Sequence, residues 1–250
     1  MMIRLIALLL LLALPAKAEE IVLGLSRDAV AITVTFQGSD IIVFGAVSRD
    51  APAPQDSQLG VIVTIAGPDE PVMVRRKARR MGIWINTDAV DVSAAPSFYA
   101  VATTAPISEV LRDVEDLRNR ITIPRAIRAV GATVPDSAAF TDALIRIKTD
   151  QNLYQMLEGA VQLDQDTLFR TAISLPATLT EGDYTAHIYL TRNGVVIDDY
   201  VTTIPVAKVG LERWLYNLAH QQAFLYGLMS LAIAAGAGWL ASAVFGMIRR

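Results

Sequence analysis

Residues 223–248, AFLYGLMSLAIAAGAGWLASAVFGMI, run for 26 positions without a charge, and Arg249 and Arg250 follow directly. As a helix rising 1.5 Å per residue, this run crosses a hydrocarbon core of about 30 Å with some tilt to spare. It is apolar all the way round, whereas a helix packed on a soluble core keeps one polar face. Trp214 and Tyr216 precede it and Tyr226 lies near its start, as suits a membrane interface, and the closing arginines suit a cytoplasmic exit. Everything before the span must therefore fold on one side of a membrane.

The other end sets which side. Arg4 precedes an apolar stretch at residues 5–14, followed by Pro15 and the small-x-small triplet Ala16-Lys17-Ala18, the order found in secretory signal peptides. About ten helical residues rise only about 15 Å, too little to cross the bilayer, so cleavage is expected after Ala18. Lys208 and Arg213 also flank the C-terminal span, so its local charge is ambiguous by itself. The signal peptide (1–18) resolves the direction: residues 19–222 lie outside the cytoplasm, and 249–250 form a cytoplasmic tail.

The external part carries 18 Lys and Arg against 25 Asp and Glu, a net of about −7 that bears on solubility rather than on fold. Five of those cations, Arg75, Arg76, Lys77, Arg79 and Arg80, crowd into VMVRRKARRMGIWIN at residues 72–86. The chain has no cysteine, which excludes disulfides, thiolate metal sites and a lipoprotein anchor. A folded core must hold this protein together.

From residue 19 to 105 the chain reads as strands: IVLGL, VAITVTF, DIIVFGAV, LGVIVTIAG, VMVRRKA, MGIWIN and FYAVATT, separated by Gly, Pro, Asp and Ser. APAPQDSQ at 51–58 is a loop. Residues 106–160 read as helical. ISEVLRDVEDLRNRI sets Val110, Leu111, Val114, Leu117 and Ile121 on one face, with Asp116 and Arg120 paired on the exposed side. A second helix, capped by Asp136, is expected to run through Phe140, Leu144 and Ile147 towards Leu157. Strands return at 161–210, where Asn193-Gly194 marks a type I′ hairpin. Residues 211–222 form a juxtamembrane helix leading into the membrane helix at 223–248. The expected fold is a mainly β ectodomain, an antiparallel sandwich of possible immunoglobulin-like type, with a helical middle segment and one C-terminal transmembrane helix. One sandwich interrupted by helices is preferred over two.

No catalytic constellation stands out. His187 lies in a strand pattern and His220 beside the membrane helix, and both read as structural. The Gly236-x-Gly238-x-x-Ala241 match to a dinucleotide fingerprint lies inside the apolar span, where no strand precedes it and no pyrophosphate enters. Asp164, Asp166, Asp198 and Asp199 lack the spacing of a calcium loop and read as solvated strand ends. No enzyme activity, cofactor or metal is expected. In the membrane helix Ser230, Ala234, Gly238, Ser242 and Gly246 repeat every four residues, a small-residue ladder on which a partner helix packs closely. The plainer reading of the basic cluster is a hairpin exposing Arg and Lys to water, because edge cations discourage aggregation. Its location makes nucleic acid an unsuitable partner, and lipid headgroups, an acidic protein face or a small anionic solute are the alternatives. Trp84 suits a headgroup region or a sandwich core equally.

The blocks MGIWINTDAVDVSAAPSFYAVATTAPI, ALIRIK, NLYQ, LFRTAISLPATLTEGDYTAHIYLTRNG and KVGLERWLYNLAHQQAFLYGLMSLAIAAGAGWLA resemble the alphaproteobacterial transmembrane protein family of Alph_Pro_TM type over nearly the whole mature chain. That resemblance implies a single-pass inner-membrane protein with a periplasmic N-terminal region, in a family with no assigned biochemical activity. It also implies proximity to sulfite- or organosulfonate-exporter-like permeases, and it transfers no catalytic residue. The expected function is that of an accessory or assembly subunit of a polytopic inner-membrane transporter, packed through the small-residue ladder. The alternative is a periplasmic anion-binding module using Arg75, Arg76, Lys77, Arg79 and Arg80. An envelope hydrolase is the least supported reading.

Overall fold

The computed structural model describes residues 19–26, 29–32, 36–49, 57–128, 137–208 and 211–248. The expected signal peptide, most of the loop at 51–58, the Asp136 cap and the closing arginines lie outside them. In chain order the elements are β1 (Glu19–Leu25), β2 (Val30–Ile32), β3 (Ser39–Arg49), β4 (Leu59–Ala66), β5 (Asp69–Arg80), β6 (Ile83–Pro96) and β7 (Tyr99–Thr103). Four helices follow: α1 (Ile107–Val110), α2 (Asp113–Asn119), α3 (Ile123–Ala126) and α4 (Ser137–Asp150). The chain then forms β8 (Tyr154–Leu157), β9 (Gln162–Asp164), β10 (Leu168–Leu175), β11 (Gly182–Arg192), β12 (Val195–Lys208), α5 (Leu211–Gln221) and α6 (Ala223–Ile248). Two compact units result: a β-rich one holding Gln37–Val206 with the N-terminal strand, and a second holding Ala31–Phe36 and Ala207–Arg250.

The strands form one sheet in the order β1-β3-β10-β9, a second in the order β2-β12-β11-β4-β7-β8, and a separate hairpin, β5-β6. The strand regions on either side of the helical middle are thereby interleaved, since β10 pairs with β3 and β11 with β4. Burial follows from sequence pattern. In β10, Phe169, Thr171, Ile173 and Leu175 are buried and their neighbours exposed, as alternation requires of a strand covered on one face. In β4, LGVIVTIA, every residue from Leu59 to Ile65 is buried, the mark of a central strand covered on both faces. Ile62 joins Tyr99 and Val101 of β7, Tyr189 of β11, Val110, Phe140 and Leu144 of the helices, and Ile121 of the turn before α3 in one core cluster. Val61, Val63 and Ile65 point the other way, and β10 packs against β7.

Three features of the helical middle differ from the periodicity-based expectation. Instead of one helix at 107–121, the chain forms two short ones there and a third at 123–126, because Leu111 turns extended and Arg120 adopts a left-handed conformation. Arg112 N donates to Gly194 O, and the Asp116 carboxylate accepts from Ile121 N, Thr122 N and Thr122 Oγ1. Asp116 therefore ties down the turn after α2 rather than pairing with Arg120. With the helix interrupted, Val114 and Leu117 are exposed while Val110, Leu111 and Ile121 stay buried. The second helix stops at Asp150, and Tyr154–Leu157 is a strand that pairs with β7 in parallel, so the sheet is not wholly antiparallel.

β1 is fastened by charge. The buried Glu19 carboxylate accepts from Arg49 Nε at 2.7 Å and from Arg192 Nη2, and Arg192 also donates to Ser57. Two guanidiniums on one buried carboxylate satisfy the polar atoms that burial strips of water. Arg192→Met would leave Glu19, among the described residues, with Arg49 alone and should cost about 3 kcal/mol, read as a lower midpoint in chemical denaturation of the detergent-solubilised chain with an unchanged slope.

Candidate functional site: a cationic hairpin and a bare membrane helix

The five clustered cations all lie on β5. At its base the hairpin belongs to the core: Val72 faces Val92 and Val74 faces Val90 across the strands, packed in the cluster that holds Phe140 and Leu144 of α4. Tyr154 donates its hydroxyl to Pro96 O at 2.9 Å, and Ala94 bridges to Arg128. The register slips between Arg76 and Lys77, which leaves Thr87 of β6 as the extra residue. Beyond that bulge every residue from Lys77 to Thr87 is exposed except the half-exposed Ala78.

Alternation sorts the cations. Arg76 and Arg80 continue the face that buries Val74, whereas Arg75, Lys77 and Arg79 form a row on the opposite face. The Arg76 guanidinium lies 4.5 Å from the Phe140 ring centroid and 3.8 Å from Asp88, so part of its role is to hold the base. Successive members of the Arg75, Lys77, Arg79 row stand about 7 Å apart along the strand. That spacing does not converge on one small oxyanion, and it matches a series of separate anionic groups.

At the apex Met81 (φ 50°) and Gly82 (φ 85°) make a two-residue turn with both residues left-handed. Met81 is fully exposed, Ile83 is 64% exposed and Trp84 69%, so Trp84 stands in solvent rather than in a sandwich core. Arg79 faces Trp84 and Arg80 faces Ile83. One arm of the tip is thus cationic and the other apolar.

The small-residue ladder lies on α6, which from Ala223 to Ser242 is not buried. A Cβ built on Gly236 or Gly238 meets nothing within 4 Å. Ala234 and Ser242 are exposed, and Ser230 turns its hydroxyl back to Tyr226 O at 2.9 Å. Gly246 sits near the end of the same helix.

One polar constellation has no counterpart in the sequence reading. His187 Nε2 lies 2.9 Å from Asp199 Oδ2, and Tyr189 Oη lies 2.7 Å from His187 Nδ1, with the two rings stacked 3.9 Å apart. In the neutral ring Nε2–H donates to the carboxylate, and Nδ1 then accepts the hydrogen bond that the Tyr189 hydroxyl donates. A bulge between Leu190 and Thr191 brings Asp199, rather than Asp198, opposite Tyr189. Asp198 instead accepts from Ile21 N at 3.1 Å, so these two carboxylates are bonded members of the sheet and not merely solvated strand ends. Among the described residues no three His, Asp or Glu side chains gather at metal-binding distance.

Burial is the first cause that raises the phenols of Tyr99, Tyr154 and Tyr189 above the ordinary value near 10, with Asp199 adding to it at Tyr189 and Asp69 and Glu70 at Tyr154. Above pH 10 the unfolded chain ionises these phenols and the folded chain keeps them protonated, so stability is full below pH 10 and falls as pH rises past it. Ultraviolet titration should show these three ionising only together with the loss of tertiary signal.

Comparison with curated proteins gives no match. The profile of the family described as "Putative transmembrane protein (Alph_Pro_TM)" matches residues 20–247, which takes in the hairpin, both sheets and the membrane helix. With its β-rich unit and, among the described residues, one helix long and apolar enough to cross a membrane, this membrane protein belongs to that family.

Proposed function

We propose that the chain is a non-enzymatic accessory or assembly subunit of a polytopic membrane transporter, held in the inner membrane by α6 with its β-rich unit in the periplasm as an immunoglobulin-like sandwich. The surface of α6 carries this reading. Helices in lipid gain nothing from hiding apolar area against one another, and they associate where small residues let the backbones approach. On α6 the residues Ser230, Ala234, Gly238, Ser242 and Gly246 fall at that spacing, and the part from Ala223 to Ser242 is not buried. The family resemblance points to a sulfite- or sulfonate-exporter-like permease as the transporter. A second reading, a periplasmic module that binds a small anion through Arg75, Arg76, Lys77, Arg79 and Arg80, has the exposure of these cations in its favour and their 7 Å spacing along the strand against it.

The test is a mild-detergent pull-down of the intact chain with mass spectrometry, beside a variant carrying Ala234→Ile, Gly238→Ile and Ser242→Leu. A multi-span permease recovered with the native chain should fall at least tenfold in the variant, while the β-rich unit keeps its thermal midpoint. Equal recovery from both, or recovery of the chain alone, overturns the reading.

A further inference from the structure

We propose that the tip of the β5–β6 hairpin docks on an anionic lipid bilayer, with Met81, Ile83, Trp84 and Ile85 entering the interface and Arg75, Lys77, Arg79 and Arg80 binding lipid phosphates. The proposal is independent of any partner for α6.

Three observations on the tip agree. The first is the division between its arms, cationic on β5 and apolar on β6. Apolar residues 83–85 extend about 7 Å, comparable to the depth of about 5–10 Å at which interfacial apolar groups sit. Trp belongs at that level, and Arg and Lys reach back from it to the phosphates. Secondly, Arg75, Lys77 and Arg79 stand in a row at the strand's two-residue spacing. A row of that kind meets many headgroups in a plane. Asp88 and Asp91 are the carboxylates of the facing strand; Asp88 is engaged by Arg76, and Asp91 faces Met73 on the outer face but below the row, so Lys77 and Arg79 nearer the tip keep their positive character.

Thirdly, the apex residue departs from what the turn itself favours. A turn with two left-handed residues is best served by Asn or Asp before Gly, as at Asn193-Gly194, where φ is 51° and 78°. Met81 occupies the corresponding place at φ 50° with its side chain wholly in solvent. Neither local conformation nor burial within the chain accounts for a methionine there, and insertion into an apolar phase does. A nucleic acid or an acidic protein would use the cations and leave Met81, Ile83 and Trp84 unaccounted for.

The chain has no cysteine, so a nitroxide on Met81→Cys reports on the apex alone. The full chain is placed in nanodiscs of phosphatidylcholine, with or without 30% phosphatidylglycerol, and vesicles of each composition are added to the neutral discs. In the anionic bilayer, either its own disc or the added vesicle, access of a water-soluble nickel chelate to the label should drop about fivefold while access of oxygen rises. Each basic residue near an anionic surface contributes about fivefold in affinity, so Arg75→Ser, Lys77→Ser and Arg79→Ser together should weaken it about a hundredfold. These side chains are exposed, and an unchanged thermal midpoint shows that the variant is folded. Equal nickel access with and without phosphatidylglycerol, in the discs and with vesicles alike, overturns the proposal. Protection found in native membranes but not in pure lipid assigns the tip to a protein and overturns it as well.

Discussion

Strand β4 is the constraint on which the β-rich unit depends. A strand that is apolar on both faces cannot lie at a surface, so LGVIVTIA requires a layer on each side and a paired strand along each edge. β11 and β7 pair with its edges. The short helices and α4 cover Ile62 on one side, and the opposite set, Val61, Val63 and Ile65, is buried on the other. Because β11 comes about 120 residues after β4, the pairing that completes the second sheet waits on the whole helical middle. The same holds for the first sheet, where β3 is joined by β10. Neither of the two larger sheets is completed by one strand region alone, so the two regions are interleaved.

The parts of this arrangement that are legible in the sequence are those with a strong local signal. Alternation in LFRTAISL gives β10 and its buried face, and Asn193-Gly194 gives the β11–β12 turn. The length and neutrality of residues 223–248 give α6. Local signals did not give the breaks. Val110, Leu111, Val114, Leu117 and Ile121 satisfy helical spacing, yet Arg112 N is drawn to Gly194 O across 82 positions of chain, and Asp116 closes a turn that exposes Val114 and Leu117. A hydrogen bond to a distant hairpin is invisible to periodicity. Tyr154–Leu157 is similar: nothing in YQML separates it from a helix end, and parallel pairing with β7 decides its state.

The Tyr189, His187 and Asp199 chain shows how finely a site depends on such detail. Counting outward from the Asn193-Gly194 turn sets Asp198 opposite Tyr189, and the extra residue Ile197 moves Asp199 there. One bulged residue thereby sends two neighbouring carboxylates to different tasks, Asp199 to the imidazole and Asp198 to the backbone of β1. The hairpin β5–β6 is more legible, since Val72 and Val74 before the cations and Ile83 and Ile85 after them alternate. The exposure of Trp84 is not, because an aromatic residue between two isoleucines is as good a core strand as a surface one.

Folding accounts for the lower half of that hairpin and leaves the upper half unaccounted for. Val72, Val74, Val90 and Val92 hold the base against α4, and the Arg76 contact with Phe140 extends that grip by one residue. Past the bulge two strands stand alone, and an isolated two-stranded ribbon is marginal in water. A chain under selection for stability or solubility alone would put Asn or Asp at position 81 and Thr, Lys or Glu at 83–85, which would relax the turn and remove exposed apolar edges. Met81, Ile83, Trp84 and Ile85 stand instead at up to full exposure beside three outward cations. Since burial within the chain does not pay for them, what retains them must lie outside it, and a phase that is apolar within a few ångströms of a plane of anions matches both arms of the tip at once.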